Sequence, residues 1–476
     1  MSNASFQVPV AKNEPICPYA PGTAQRSSLK GALDQMASET IEIPAIIGGE
    51  EVRTGDTGKV VMPHDHGHVL GTYHRGDAAT VDAAAKACKA AEREWQATPW
   101  EHRAAIFLKA ADLLAGPWRD KINAATMLGQ SKNAYQSEID AACELIDFWR
   151  YNVQFMRELY TEQPESSPGC WNRIEQRGLE GFVFAVTPFN FSSIAGNLPT
   201  APALMGTTAL WKPASTAVLS GYWLMKLLEE AGLPKGVVNF VPGDGRAIGT
   251  PAIAHADLAG VHFTGSTGVF QGMWKSIGEN IDNYKCYPRI VGETGGKDFI
   301  FAHASADVEA LVAATVRGAY EYQGQKCSAA SRAYIPRSIW GDYKDRLVAE
   351  IAKIKMGDPR DFRNFMNAVI DEKAFNTIGS YISHAKESSD AEILTGGGCD
   401  KSKGYFIEPT IVQTSTPEEK IFQEEIFGPV VTVYVYKDAD AKETMQSIIK
   451  HSPYSLTGAL YCQDQVHRLF NQEIQF

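Results

Sequence analysis

The spacing of apolar positions changes character near residue 182. Before that point it is helical. Residues 81–97 and 103–114 are alanine-rich, with apolar positions three and four apart. Residues 137–160 place Ile139, Cys143, Ile146, Trp149, Val153, Met156 and Tyr160 on one stripe. The pattern predicts three amphipathic helices, the last unbroken, with Glu144 and Asp147 beside its stripe. Residues 1–40 lack strong periodicity and read as an arm laid over the surface, ending where residues 41–47 turn apolar.

From 182 onward, short apolar runs (182–187, 209–212, 237–241, 260–264) alternate with helical stretches (216–231, 246–256). Alternation of this kind marks βαβ units and a parallel sheet covered by helices. A second alternating region starts at 298, with strands at 298–301, 333–335 and 430–436 and a helix at 307–322. Residues 163–177 are Pro- and Ser-rich and interrupt the first region as an inserted hairpin or loop would. The reading is an α/β protein with more than one domain, which a length of 476 residues supports.

Charge and cysteine usage narrow the partners. A net charge of −11 disfavours nucleic acid, which needs clustered Lys and Arg, and leaves a small-molecule substrate. No apolar run approaches the roughly 20 residues of a membrane helix, so no membrane partner is expected. The N-terminus has neither signal-peptide nor transit-peptide character, which points to the cytoplasm, with a mitochondrial matrix protein lacking its presequence as the alternative. Eight scattered cysteines without a CxxC pair read as reduced thiols. His64-Asp65-His66-Gly67-His68 lacks helical ligand spacing and a distant partner, so it reads as a polar loop between strands, and no metal is expected.

Ligands of parallel sheets bind beyond the carboxyl ends of the strands. Those ends carry Thr187-Pro188-Phe189-Asn190-Phe191, Lys212-Pro213-Ala214-Ser215, Pro242-Gly243-Asp244-Gly245 and Gly265-Ser266-Thr267-Gly268. The last follows a strand and opens a helix, where backbone N–H groups can hold a pyrophosphate. Cys327 follows Gly324-Gln325-Lys326, and the adjacent lysine favours a thiolate. Glu293, just ahead of Thr294-Gly295-Gly296-Lys297, could accept a proton from water, and the Asn190 amide could steady an oxyanion. A cysteine nucleophile and a carboxylate base can oxidise an aldehyde if a nicotinamide lies between them.

Together with Phe263-Thr264-Gly265-Ser266 and Glu424-Glu425-Ile426-Phe427-Gly428-Pro429, these motifs resemble the aldehyde dehydrogenase superfamily, in its order and from about residue 12 to 464. Asn197-Leu198-Pro199, Ala201-Pro202-Ala203-Leu204-Met205-Gly206 and the segment 138–148 resemble its pyrroline-5-carboxylate branch. The resemblance implies a Rossmann-type cofactor domain (1–161 and 182–292), a small oligomerisation hairpin (162–181), an α/β catalytic domain (293–464) and an atypical end (465–476). It implies NAD-dependent oxidation of L-glutamate gamma-semialdehyde to glutamate in proline catabolism. Cys327 would be the nucleophile, Glu293 the base and Asn190 the oxyanion donor.

By the same likeness, Thr187, Lys212, Ser215, Gly245, Gly265, Ser266, Glu425 and Phe427 would bind the cofactor, and Glu144, Phe191 and Ser328 the substrate. Many NAD-selective relatives have an acidic residue where this chain has Ser215, so NADP stays open beside NAD. The family pattern runs on beyond residue 476, and 466–476 fits it poorly. The expectation is therefore a chain lacking the family's C-terminal segment, and a homodimer or higher homo-oligomer where that segment is present. A dehydrogenase for another semialdehyde, or a catalytically impaired scaffold, are the competing readings.

Overall fold

The computed structural model describes residues 6–463, so the expected atypical end at 465–476 lies outside the described residues. The chain forms two compact units. The first holds residues up to Val61, His68–Gln130 and Ala134–Thr294; the second holds Met62–Gly67, Ser131–Asn133 and the chain from Gly295 onward.

The first unit is built on a seven-stranded sheet in the order Arg289–Glu293, Leu258–Thr264, Phe182–Val186, Thr208–Lys212, Val238–Phe240, Ala45–Ile47, Glu50–Val52. Its first five strands run parallel, and the last two add antiparallel. Strands buried on both faces read as continuous apolar runs, which is why 182–187 and 209–212 show no alternation. Phe182, Phe184, Leu210, Val261 and Phe263 fill the core against Val81, Ala84 and Ala85 of the helix Ala78–Ala97.

In the second unit a six-stranded sheet runs Ala391–Thr395, Thr410–Thr414, Val430–Tyr436, Ala330–Pro336, Asp298–Ala302, Gly458–Tyr461. Only its first pair is antiparallel. Leu311 and Tyr320 of the helix Val308–Tyr320 pack with Ile300, Ile335, Val431 and Val433.

Three expectations need correction. The arm contains a helix, Ala24–Ser38, whose Thr23 hydroxyl accepts from the Arg26 N–H. Its only buried residues are Leu29 and Leu33, so the apolar stripe is one residue wide and leaves almost no periodic signal. The helix over 137–160 is not unbroken: Ala134–Ser137 passes into a π-helical turn, Glu138–Cys143, before Glu144–Thr161. The Glu144 N–H donates to the carbonyl of Ile139, five residues back, which inserts an extra residue into the turn. Finally, His66 and His68 lie on a strand, Asp65–His74, rather than in a loop. His64 is buried, with Nδ1 at 2.9 Å from Ser131 Oγ.

Residues 163–177 double back through one β-bridge, Ser167 to Cys170, with the Ile174 N–H donating to Gln163 Oε1 at 2.8 Å. Among the described residues no helix is long and apolar enough to cross a membrane, no group of three His, Cys, Asp or Glu side chains could hold a metal, and no cysteine is in a disulfide.

Candidate active site

In the first unit the parallel strands deliver four turns to one edge of the sheet. Thr187 is tied to its neighbour strand: its N–H donates to Lys212 O at 3.1 Å, and its hydroxyl accepts from the Trp211 indole at 2.9 Å. Lys212 is the last residue of a fully buried strand and is itself buried. Burial pulls its ammonium down to about 8, against the pull of Asp244, which favours the charge. Asp244 caps the helix Gly245–Ala254 by accepting from the Ala247 and Arg246 N–H groups, which hold its carboxyl below the usual range. The Ser215 hydroxyl donates to Gly243 O at 2.9 Å, so these two turns are locked together.

Gly265 donates its N–H to Glu293 O at 3.2 Å, and a Cβ there would lie 2.7 Å from the Phe263 ring. Ser266 then occupies the N-cap position of the helix Thr267–Glu279 without a side-chain capping bond. Around this turn the Thr264 and Thr267 hydroxyl oxygens are buried without a hydrogen-bond partner. Orphaned hydroxyls, a helix N-terminus and a backbone stripped of Cβ suit the phosphates of a dinucleotide, so these residues fit the expected cofactor. Glu293 ends the outermost strand and is exposed.

Asn190 and Phe191 lie directly before the helix Ser192–Leu204. Asn190 is buried. Its turn is held from behind: Gln130 Nε2 donates to Phe189 O, and Ser192 Oγ lies 2.8 Å from Thr126 Oγ1. The π-helical turn rotates the following helix by roughly 100° relative to an unbroken one. Glu144, first residue of that helix, accepts from the hydroxyl of Ser193, two residues beyond Phe191. The structure thus brings Glu144 beside the segment that carries Asn190 and Phe191. Ser193 had no signal of its own in the sequence, because the contact crosses 49 residues.

The second unit folds three turns through one another. A Cβ on Gly295 would lie 2.1 Å from the Glu425 carboxylate, and one on Gly296 would lie 2.3 Å from Cys327 O. One on Gly324 would lie 2.2 Å from Gly428 O. The Gly296 N–H donates to Glu425 Oε1 at 3.0 Å, and burial raises the Glu425 carboxyl above its ordinary value. Gly295 and Gly296 are required by close approach alone, whereas Gly324 also adopts a left-handed backbone.

Ahead of Cys327 the backbone runs left-handed through Tyr322, Gln323 and Gly324, with φ of 49°, 55° and 65°. Such geometry persists only when its surroundings hold it. Gln323 provides that hold: Nε2 donates to Ala368 O at 2.7 Å and Oε1 accepts the Asn367 N–H at 2.9 Å. Gln325 Oε1 accepts the Ile370 N–H at 2.9 Å. Cys327 emerges half-buried, with Ser328 exposed beside it. Phe427, also left-handed at φ 56°, follows Glu425 on the third turn.

The Lys326 ammonium lies 3.9 Å from the Glu321 carboxylate. Beneath the turns, Lys297 is fully buried with Nζ donating to Ile421 O at 3.0 Å, and burial, then Arg332, lowers it to about 7. The pattern Gly295-Gly296-Lys297 announced this lysine only as part of a motif.

A model of the aldehyde dehydrogenase family matches residues 51–475. The chain is 51% identical to a mitochondrial delta-1-pyrroline-5-carboxylate dehydrogenase of Dictyostelium discoideum, over 96% of this chain and 83% of that protein. It is 50% identical to the corresponding enzyme of Agaricus bisporus, over 97% and 85%. The NAD-bound delta-pyrroline-5-carboxylate dehydrogenase of Mycobacterium tuberculosis superimposes with a TM-score of 0.96 at 49% identity, over 99% of this chain and 87% of that one. Matched by the family's model over most of its length, and about half identical to the two curated relatives above, this chain belongs to the aldehyde dehydrogenase family.

Proposed function

We propose that the protein oxidises L-glutamate gamma-semialdehyde, the open form of pyrroline-5-carboxylate, to L-glutamate with NAD. The observation that carries this is the interlock of Gly295, Gly296, Glu425 and Cys327, which presents one half-buried thiol on a rigid turn, in a chain half identical to dehydrogenases of that name.

Lys212, Gly265, Ser266 and Glu425 would hold the dinucleotide, with Thr187, Ser215, Gly245 and Phe427 completing its contacts. NAD, when bound, supplies a two-electron hydride acceptor. The Cys327 thiolate adds to the aldehyde carbon, and the oxygen becomes an oxyanion that accepts from the Asn190 amide. With that acceptor in place, the C–H electron pair would leave to it as hydride, and Cys327 would be left carrying a thioester. Glu293 takes a proton from water as that water adds to the thioester carbon, and glutamate leaves as Cys327 regains its thiol form. Glu144 receives the substrate's amino group, Ser328 its carboxylate, and Phe191 forms an aromatic wall.

Cys327→Ser should lower NADH formation from this substrate by more than about a thousandfold; retention of turnover would overturn the nucleophile. Where the family's C-terminal segment is present, the assembly is a homodimer or higher homo-oligomer, a reading supported by Trp171, which is 81% exposed on the doubled-back segment. The compartment is the bacterial cytoplasm or, as the names of eukaryotic relatives support, the mitochondrial matrix.

A further inference from the structure

Glu138 is a fully buried carboxylate that the mechanism does not use. It accepts from the Cys17 N–H at 2.8 Å, the Tyr19 hydroxyl at 2.8 Å, Arg119 Nε at 3.1 Å and Asn123 Nδ2 at 2.9 Å. Burial alone would raise its carboxyl, but Arg119 and then the other donors hold it below its ordinary value, so it stays charged. Breaking a pair of this kind leaves an uncompensated buried charge, which makes Glu138 a fixed point of the structure.

Its position gives the fixture a purpose. Glu138 opens the π-helical turn and Cys143 closes it, and the Cys143 thiol donates to Glu138 Oε1 at 3.4 Å, across the five-residue span of that turn. The next residue is Glu144. On the far side of Glu144 the same arm is tied again: the Glu14 N–H donates to Asp147 Oδ1 at 2.7 Å, and Asn13 Nδ2 donates to Asp147 Oδ2 at 2.8 Å. Residues 13–19 therefore grip the helix before and after Glu144, while Ser193 holds its carboxylate.

We infer that residues 13–19 are a positioning strap that fixes the π-helical turn at Glu138 and the helix at Asp147, and thereby aims Glu144 at the amino group of the aldehyde substrate. This rests on Glu144 being the amine contact, as proposed above. An irregular stretch ahead of the first helix thus takes part in substrate recognition without touching substrate.

Two mild variants test it. Tyr19→Phe keeps the buried ring and deletes one donor to Glu138; Asp147→Ala removes the second anchor at a half-exposed position where the fold tolerates change. Each should raise KM for L-glutamate gamma-semialdehyde by about three- to tenfold, with kcat within about twofold. Each should leave kcat/KM for propanal, which has no amino group, within about twofold. Equal losses on both aldehydes, or no change on either, would assign the strap to stability alone and overturn the inference. Glu144→Ala runs beside them. If it weakens the amino aldehyde selectively and the strap variants do not, only the strap fails. If it weakens both aldehydes alike, the amine contact is wrong and the inference falls with it.

Discussion

Gly296→Ala is the most direct probe of the interlocked turns. The φ of Gly296 lies outside the left-handed region, so the effect is steric alone. The new methyl would lie 2.3 Å from Cys327 O and 2.6 Å from Asp298 Oδ2. The first is a backbone atom next to the thiol and cannot swing aside as a side chain does. Reaching 3.0 Å, the limit below which real Cβ contacts essentially do not occur, moves the Cys327 carbonyl by at least about 0.7 Å.

Misplacement of a reacting group by about 1 Å costs on the order of a hundredfold, so kcat should fall by about 30- to 100-fold. Overpacking of this size costs only about 1–3 kcal/mol, leaving the protein folded. Single-turnover NADH formation, together with the rate of Cys327 alkylation by iodoacetamide, reads the displacement. Gly272→Ala, inside the helix Thr267–Glu279 with nothing within 4 Å of its Cβ position, is the control and should leave kcat unchanged. A Gly296→Ala enzyme within about threefold of the parent kcat would refute the claim that the carbonyl contact positions the thiol.

Lys297→Met tests the buried amine. In the folded protein it titrates near 7 rather than 10.5. The unfolded chain therefore binds a proton the folded one lacks as pH rises through that interval, and unfolding free energy climbs from about pH 7. Lys212 adds a similar climb only from about 8. The Met variant should lose the rise between about pH 7 and 8 in urea unfolding, while Ile421 O keeps the Thr432 hydroxyl as donor at 3.3 Å; an unchanged slope would contradict the burial argument. Ser215→Asp places a carboxylate at the turn beside Lys212 and should lower kcat/KM with NADP by at least about tenfold more than with NAD; equal effects would remove Ser215 from cofactor choice. Lys212→Ala should raise KM for NAD by about tenfold while moving kcat less than threefold, measured at saturating aldehyde.

The parallel strands were legible because burial on both faces writes an unbroken apolar run, as at Phe182–Val186. The turns were legible because glycines forced by close approach stand out in sequence, as at Gly295-Gly296 and Gly324. What stayed hidden was long-range. A π-helical turn uses the same residue types as an α-helix, so Glu138–Cys143 left the apolar stripe readable and its break invisible. Glu138 entered the sequence reading only as part of the segment 138–148, since nothing nearby in sequence announces that Cys17, Tyr19 and Arg119 close over it. Gln325 was legible only as a member of the cysteine motif and Gln323 not at all, because the partners that give them their role lie more than 40 positions away.

The second unit borrows Met62–Gly67 and Ser131–Asn133 from far upstream. Pro63 O accepts the Tyr405 N–H at 3.0 Å, Ser131 O accepts from Gln323 Nε2 at 3.2 Å, and Asn133 Nδ2 donates to Phe365 O at 3.0 Å. During synthesis these short pieces leave the ribosome long before the cysteine turn they help to brace. They also set a rule for recombining this gene with a homologue. A crossover placed anywhere between codons 134 and 294 separates the braces from the turn, and a viable chimera must take 62–67, 131–133 and the chain after 295 from parents that agree at those contacts.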